Sequence, residues 1–278
     1  MSSIIDSLTD VYGFVTDFEA AHPTLAKWRR SNNNRPLFTD AEVITIALMQ
    51  HVLGVATLKQ TYRLVANNWR GAFPHLCSYA QWLSRLHALS ALVGHLIAEA
   101  IRTHQMPGCL YLLDSKPIPV CKPIRHGRVR LLRADGAYFG KSSTGWFFGF
   151  KLHTLVHHSG AILYAMLTPA NCADKDADVL STLLPMAAGG AVLVDLGYRD
   201  KELLAQIEAD YDVIAINPSQ AGEKRAMISS LRERIETTFS GLWNRFVDRV
   251  FSRSWQGLWS SVLLAMLHYN LCLAGKIQ

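Results

Sequence analysis

Residues 110–120, LYLLDSKPIPV, divide this chain in two. Upstream of them the sequence reads as helices, and downstream as strands alternating with helices. The run Cys109–Leu113 is short, apolar and followed by Asp114, the pattern of a buried strand with an acid at its carboxyl end. A second such run, Ala191–Val194 within AVLVDLGYRD (191–200), ends in Asp195. In open α/β sheets, ligand and catalytic groups collect beyond the carboxyl ends of the strands. Taken singly, each Asp reads more simply as a helix cap or a turn former.

The segments around these two runs set the expected fold class. Trp146–Val156 and Ala161–Leu167 are β-rich and joined by His157-His158-Ser159-Gly160, a hairpin-like turn. Asp178–Met186 and Lys201–Glu208 read as helices, Val213–Ile216 as a strand, and two long helices finish the chain. An antiparallel hairpin followed by α/β alternation predicts a mixed sheet with helices on its faces. Upstream, Thr39 with Glu42 forms a capping-box pattern ahead of the helically spaced Val43, Ile46, Ala47, Gln50 and Leu53. A second helix is expected over Leu58–Trp69. A third starts at Ser78, with Gln81 at the capping position, carries Trp82, Leu83, Leu86 and Leu89, and pauses near Ser90 before continuing to about His104. Met106-Pro107-Gly108 breaks the helical pattern. The expected organisation is therefore an all-α region over 1–105 and an α/β region over 106–278. Short helices bearing Arg63, Arg70 and Arg85 fit either a helix-turn-helix or a plain bundle.

A third acid lies on the expected penultimate helix, in SSLRERIETTF (229–239). Ile228, Leu231, Ile235, Phe239, Leu242 and Phe246 make a stripe at helical spacing. Glu236 stands at the margin of that stripe with Arg232 four residues before it. The rival Glu233 points further from the stripe's centre. An ordinary surface pair between Arg232 and Glu236 explains the same residues equally well.

Bulk properties narrow the function classes. The chain has a formal charge of +6 and a pI near 9.1, a balance that fits a polyanionic partner without requiring one. Its five cysteines are scattered and form no C-x-x-C, so neither a zinc ribbon nor a disulfide framework is expected. A reducing cytoplasm is the expected compartment. MSSIIDSLTDVYGF has no basic start and does not read as a signal peptide. Residues 254–275 carry no Lys, Arg, Asp or Glu, but Gln256, Ser260, Ser261, His268 and Asn270 interrupt them, so a buried helix is expected there and no membrane span.

Three carboxylates brought together would suit Mg²⁺, with Mn²⁺ as a substitute, because hard cations take oxygen ligands whereas zinc prefers His and Cys. Two such ions about 3.5–4 Å apart serve an in-line displacement at phosphorus. A one-sided run of cations follows the first acid: Lys116, Lys122, Arg125, Arg128, Arg130 and Arg133, with no acid from Ser115 to Ala134. It reads as a phosphate-binding tract or as a solvated loop. Lys141 and Lys151 extend it. The aromatics of Tyr138-Phe139-Gly140 and Trp146-Phe147-Phe148 read as sheet packing, with stacking on unpaired bases as the alternative. His153 and the pair His157-His158 read as structural.

Asp114 at a strand end, Asp195-Leu196-Gly197-Tyr198, Gly149-Phe150-Lys151-Leu152-His153, the Arg232-x-x-x-Glu236 helix and Arg245 all occur in this chain. Together they resemble the DDE transposases of bacterial insertion sequences, over about Leu110 to Leu273. The resemblance implies a ribonuclease H-like domain with Asp114, Asp195 and Glu236 as catalytic metal ligands for two Mg²⁺ ions. It implies cleavage at element ends, transfer of the freed 3′ hydroxyl into target double-stranded DNA, and a homodimer on paired ends. Lys116, Lys122, Arg125, Arg128, Arg130, Arg133, Lys151, Arg232 and Arg245 would face DNA, and a nucleoid-associated bacterial location follows. The family's helix signature often has Tyr and Lys where this chain has Ser229 and Trp243, leaving Arg245 or Arg249 as the nearest cation. Asp195 and Glu236 stand only 41 positions apart, so the large β insertion of some relatives is absent. A structure-selective nuclease on the same fold and a domesticated, non-catalytic DNA-binding protein are the alternative readings.

Overall fold

The computed structural model describes residues 4–25, 36–102, 109–142, 145–195, 197–198, 200–217, 233, 237, 240 and 252–277. They fall into two units, Met1–Ala100 with Gln256–Gln278, and Ile101–Trp255.

In the first unit, α1 (Ile4–Ala21), α2 (Asp40–Val52), α3 (Leu58–Asn68), α4 (Tyr79–Ala88) and α5 (Ser90–Ala100) are joined by most of a closing helix, Trp255–Leu273. From Asp40 to Met49 every residue of α2 is buried. Its near-continuous apolar sequence follows from that position, since a helix surrounded by others has no need of a polar face. Both expected capping boxes form, Thr39 with Glu42 and Ser78 with Gln81. Trp82 of α4 is fully buried and donates its indole N–H to the Val43 carbonyl at 3.2 Å. The pause expected near Ser90 is a true break, α4 ending at Ala88 and α5 starting at Ser90. Between α3 and α4 runs a ten-residue connection, 69–78, with a 3₁₀ turn at Arg70–Ala72. The uncharged stretch near the C-terminus is the closing helix, where Val262–His268 are buried. Among the described residues no helix is long and apolar enough to cross a membrane.

The second unit is built on six strands. They are β1 (Leu110–Cys121), β2 (Tyr138–Ser142), β3 (Gly145–His157), β4 (Ile162–Pro169), β5 (Ala191–Val194) and β6 (Ile214–Ile216). Helix α6 (Ala177–Leu183) precedes β5, and α7 (Lys201–Tyr211) precedes β6. β1 lies between β3, its antiparallel neighbour, and β5, its parallel one, with β6 parallel beyond β5. On the far edge of β3, β2 pairs with Gly145–Gly149 and β4 with Phe150–Val156, so the two lie end to end along one strand. The mixed α/β sheet expected from the sequence is therefore present. One face of it buries Tyr111, Leu113, Leu155, Val192 and Val194 against Val179, Leu180 and Leu183 of α6 and Ile207 of α7. Each such side chain contributes about 1.5–3 kcal/mol when fully buried.

Two elements differ from the sequence expectation. β1 does not stop before Asp114 but continues to Cys121, paired with β3 alone. Among the described residues no strand pairs with this half of β1 on its other side, and such an edge is where prolines such as Pro117 and Pro119 are tolerated in a strand. β2, five residues with no apolar run, is absent from the expected order because its pairing comes from β3 and not from its own pattern. The β1–β3 register shifts between Pro119 and Cys121, where Gly149 opposes Pro119.

Candidate active site at the open end of the parallel strands

β1 and β5 are in register from Leu110↔Ala191 to Leu113↔Val194. Asp114 and Asp195 are the next residue on each strand, so the two acids leave the ladder side by side. The parallel pairing ends there. Period two turns Asp114 away from the face that buries Leu113. Asp114 is half-buried, and its Oδ1 accepts the Ser115 backbone N–H at 2.8 Å. Asp195 is exposed.

The turn after Asp195 is tied down by a buried polar relay. The Tyr198 amide donates to the Asp195 carbonyl at 3.0 Å. The Tyr198 ring is buried, with its hydroxyl 3.1 Å from His153 Nδ1 on β3, and His153 Nε2 lies 2.9 Å from Thr168 Oγ1 on β4. Burial pushes the Tyr198 hydroxyl well above its ordinary value, and the charges of Asp174, Asp114 and Asp195 push the same way. Burial likewise pulls His153 down to about 4, against an opposing pull from Asp174. A neutral His153 serves the relay, one ring nitrogen accepting while the other donates.

The shift has a pH consequence. With a folded value near 4 and an ordinary one near 6.5, His153 takes up its proton mainly after unfolding. The stability it confers is present above about pH 6.5 and is lost as pH falls toward 4, by roughly 2–3 kcal/mol. Denaturant titrations between pH 7 and 4 are expected to show that loss, and His153→Gln to reduce its pH dependence. An unchanged slope in the variant would show that His153 does not control it.

Asp174 was not visible as a site residue in the sequence. It lies in the turn after β4 and accepts the Ser115 hydroxyl at 3.0 Å and the Lys151 ammonium at 3.1 Å on the same oxygen. Its only sequence signal is the acid-bearing segment Asn171-Cys172-Ala173-Asp174-Lys175-Asp176, which reads as a helix cap. Asp176 is one, accepting the Asp178 amide at the start of α6.

The cations divide by environment. Lys122, Arg125, Arg128 and Arg130 are exposed on the connection from β1 to β2. Arg133 is also exposed, but it donates to the His126 carbonyl at 2.7 Å and lies over the Phe148 ring, holding that connection to the sheet. Lys116 is half-buried on β1. Lys151 donates to the Cys172 carbonyl at 2.7 Å besides its pair with Asp174. Of the aromatics, Phe147 and Phe148 are buried, whereas Tyr138 and Trp146 are exposed. Glu236, Arg232 and Arg245 lie outside the described residues. Glu233 is helical and exposed.

The oxygen-only donors at the two strand ends fit a hard divalent cation and not a soft one. Among the described residues, no set of three or more His, Cys, Asp or Glu side chains is arranged to hold a metal ion. Residues 104–243, just over half of the chain, match the family model of the transposase DDE domain. The chain belongs to this family. The matched stretch of the transposase domain begins ahead of β1 and contains positions 114, 195 and 236. The order of its strands and helices is consistent with a ribonuclease H-like transposase domain, a family that typically uses a divalent metal and whose partner is DNA. A comparison with curated proteins gave no match.

Proposed function

We propose that this transposase cleaves double-stranded DNA at the ends of its element and joins the freed 3′ hydroxyl to target DNA. The observation that carries this reading is the register of β1 with β5, which sets Asp114 and Asp195 at neighbouring exits. In this reading Asp114, Asp195 and Glu236 hold two Mg²⁺ ions, with Mn²⁺ as a substitute. What the ions supply when bound is activation of the attacking oxygen and stabilisation of the leaving one. The acids suit this work because they bind hard cations without bringing a reacting proton.

The remaining residues bind and orient DNA. The exposed Lys122, Arg125, Arg128 and Arg130 draw in the phosphate backbone, and Arg133 steadies the segment that carries them. Lys116 sits two residues beyond Asp114, on the same face of β1 by strand period, where a phosphate next to the acids would meet it. Arg232 and Arg245 extend this surface in the same proposal, and Lys151 acts there through Asp174. The helical unit recognises the element ends, and two copies of the chain hold two ends together.

The full chain incubated with Mg²⁺ and duplex DNA carrying the sequence that flanks its gene is expected to yield cut ends and joined products. Cutting without joining would favour a simple nuclease, and neither product would leave a DNA-binding protein. Mass measurement of the DNA complex is expected to give two protein copies. Replacing Arg125, Arg128 and Arg130 together by Gln is expected to weaken binding to any duplex alike. The slope of log affinity against log salt should become shallower by about 0.9 for each phosphate that is no longer neutralised. An unaltered slope would make the segment a solvated loop.

A further inference from the structure

We propose that Asp174 is a positioning residue that fixes the spacing of Asp114 and Asp195, an inference that rests on reading those acids as the cation-binding pair. Ladder hydrogen bonds between β1 and β5 end at Leu113 and Val194, one residue short of both acids. Beyond that point β1 is held by β3, and the turn following β4 reaches across to both exits. Asp174 Oδ1 accepts the hydroxyl of Ser115, the residue next to Asp114, at 3.0 Å. Its Oδ2 lies 3.0 Å from where a Cβ on Gly197 would stand, so the same carboxylate rests against the turn two residues past Asp195. One side chain therefore touches both strand exits. A Cβ at 197 would press on that carboxylate and require it to give way by a few tenths of an ångström.

Lys151 makes this arrangement electrostatically tolerable. Its ammonium, on a side chain only 15% exposed, bonds Asp174 Oδ1 at 3.1 Å and the Cys172 carbonyl at 2.7 Å. A carboxylate at the two strand exits adds negative charge there. The lysine offsets that charge and anchors the turn to β3. Without Asp174, the same cation is left to attract Asp114 or Asp195 in competition with the metal.

The test measures Mn²⁺ binding to the full-length chain by electron paramagnetic resonance of the free ion, alongside thermal unfolding. Asp174→Ala is expected to weaken binding about tenfold or more, as loss of a residue that orients metal ligands does. Asp174→Asn is expected to stay within about threefold of wild type, because its amide oxygen still accepts from Ser115 and Lys151. Ser115→Ala, which removes one of the two ties, should fall between them and serves if the alanine variant at 174 does not fold. Wild-type affinity in Asp174→Ala, or in Ser115→Ala where the former does not fold, would overturn the inference. So would Asn as damaging as Ala, since charge and not position would then be what Asp174 provides. Asp114→Asn is the reference. If it binds Mn²⁺ as the wild type does, the reading of the acid pair fails and takes this inference with it. If it binds weakly while Asp174→Ala does not, the inference alone fails.

Discussion

Asp114→Asn is expected to slow Mg²⁺-dependent cleavage of element-end DNA by about 10³-fold, with the protein still folded. Asn has nearly the shape of Asp, and its amide oxygen can still accept the Ser115 N–H that Asp114 Oδ1 now accepts at 2.8 Å. What it lacks is the charge. A metal-bound transition state loses several kcal/mol of stabilisation when a ligand carboxylate is neutralised, and each 1.36 kcal/mol is a factor of ten in rate. Single-turnover cleavage of labelled duplex measures the rate, and chemical denaturation confirms that stability has changed by less than about 1 kcal/mol. Because Asp114 and Asp195 each follow directly on the last register pair of β1 and β5, Leu113 with Val194, Asp195→Asn is expected to do the same. Cleavage at the wild-type rate by either variant would remove that residue from the site.

Gly149→Ala is expected to unfold the sheet unit. A Cβ at this position would stand 2.0 Å from the Ile118 carbonyl oxygen and 2.9 Å from the Val120 nitrogen. Both obstacles are backbone atoms of β1 and cannot rotate aside as a side chain would. Relief requires β1 to move off β3 at the register shift between Pro119 and Cys121, and the ladder there is broken. The destabilisation should exceed about 4 kcal/mol, the range reserved for a few mechanisms, overpacking among them. Gly127→Ala is the control, since nothing lies within 4 Å of the added Cβ, and it should stay within about 0.5 kcal/mol of wild type. Urea unfolding of the two variants distinguishes them. A stable Gly149→Ala protein would mean that β1 and β3 tolerate separation at this point.

Local features were the most legible in the sequence. Thr39 with Glu42 and Ser78 with Gln81 mark helix starts because a capping box is closed within four residues. The apolar runs ahead of Asp114 and Asp195 mark buried strands for a similar reason. The second half of β1 was hidden because Asp114, Ser115, Lys116 and two prolines interrupt the apolar run, and pairing with β3 holds it extended. β2 was hidden because its pairing partner, not its composition, makes it a strand. Asp174 was hidden because its meaning depends on Ser115, Lys151 and Gly197, none of which is near it in the chain.

By itself the sequence determined that helices come first, that a mixed sheet follows, and that each of two strands runs into an Asp with a cation-rich segment behind the first. These follow from periodicity and turn chemistry over a few residues. Only the tertiary structure decided that Leu113 and Val194 are register partners, which is what makes Asp114 and Asp195 neighbours. Only it brought Asp174 to both strand exits and assigned the closing helix to the unit formed by the first hundred residues. The physical reason is common to all three. Contacts between distant segments are selected by the packing of whole faces against one another, and no local pattern carries that information.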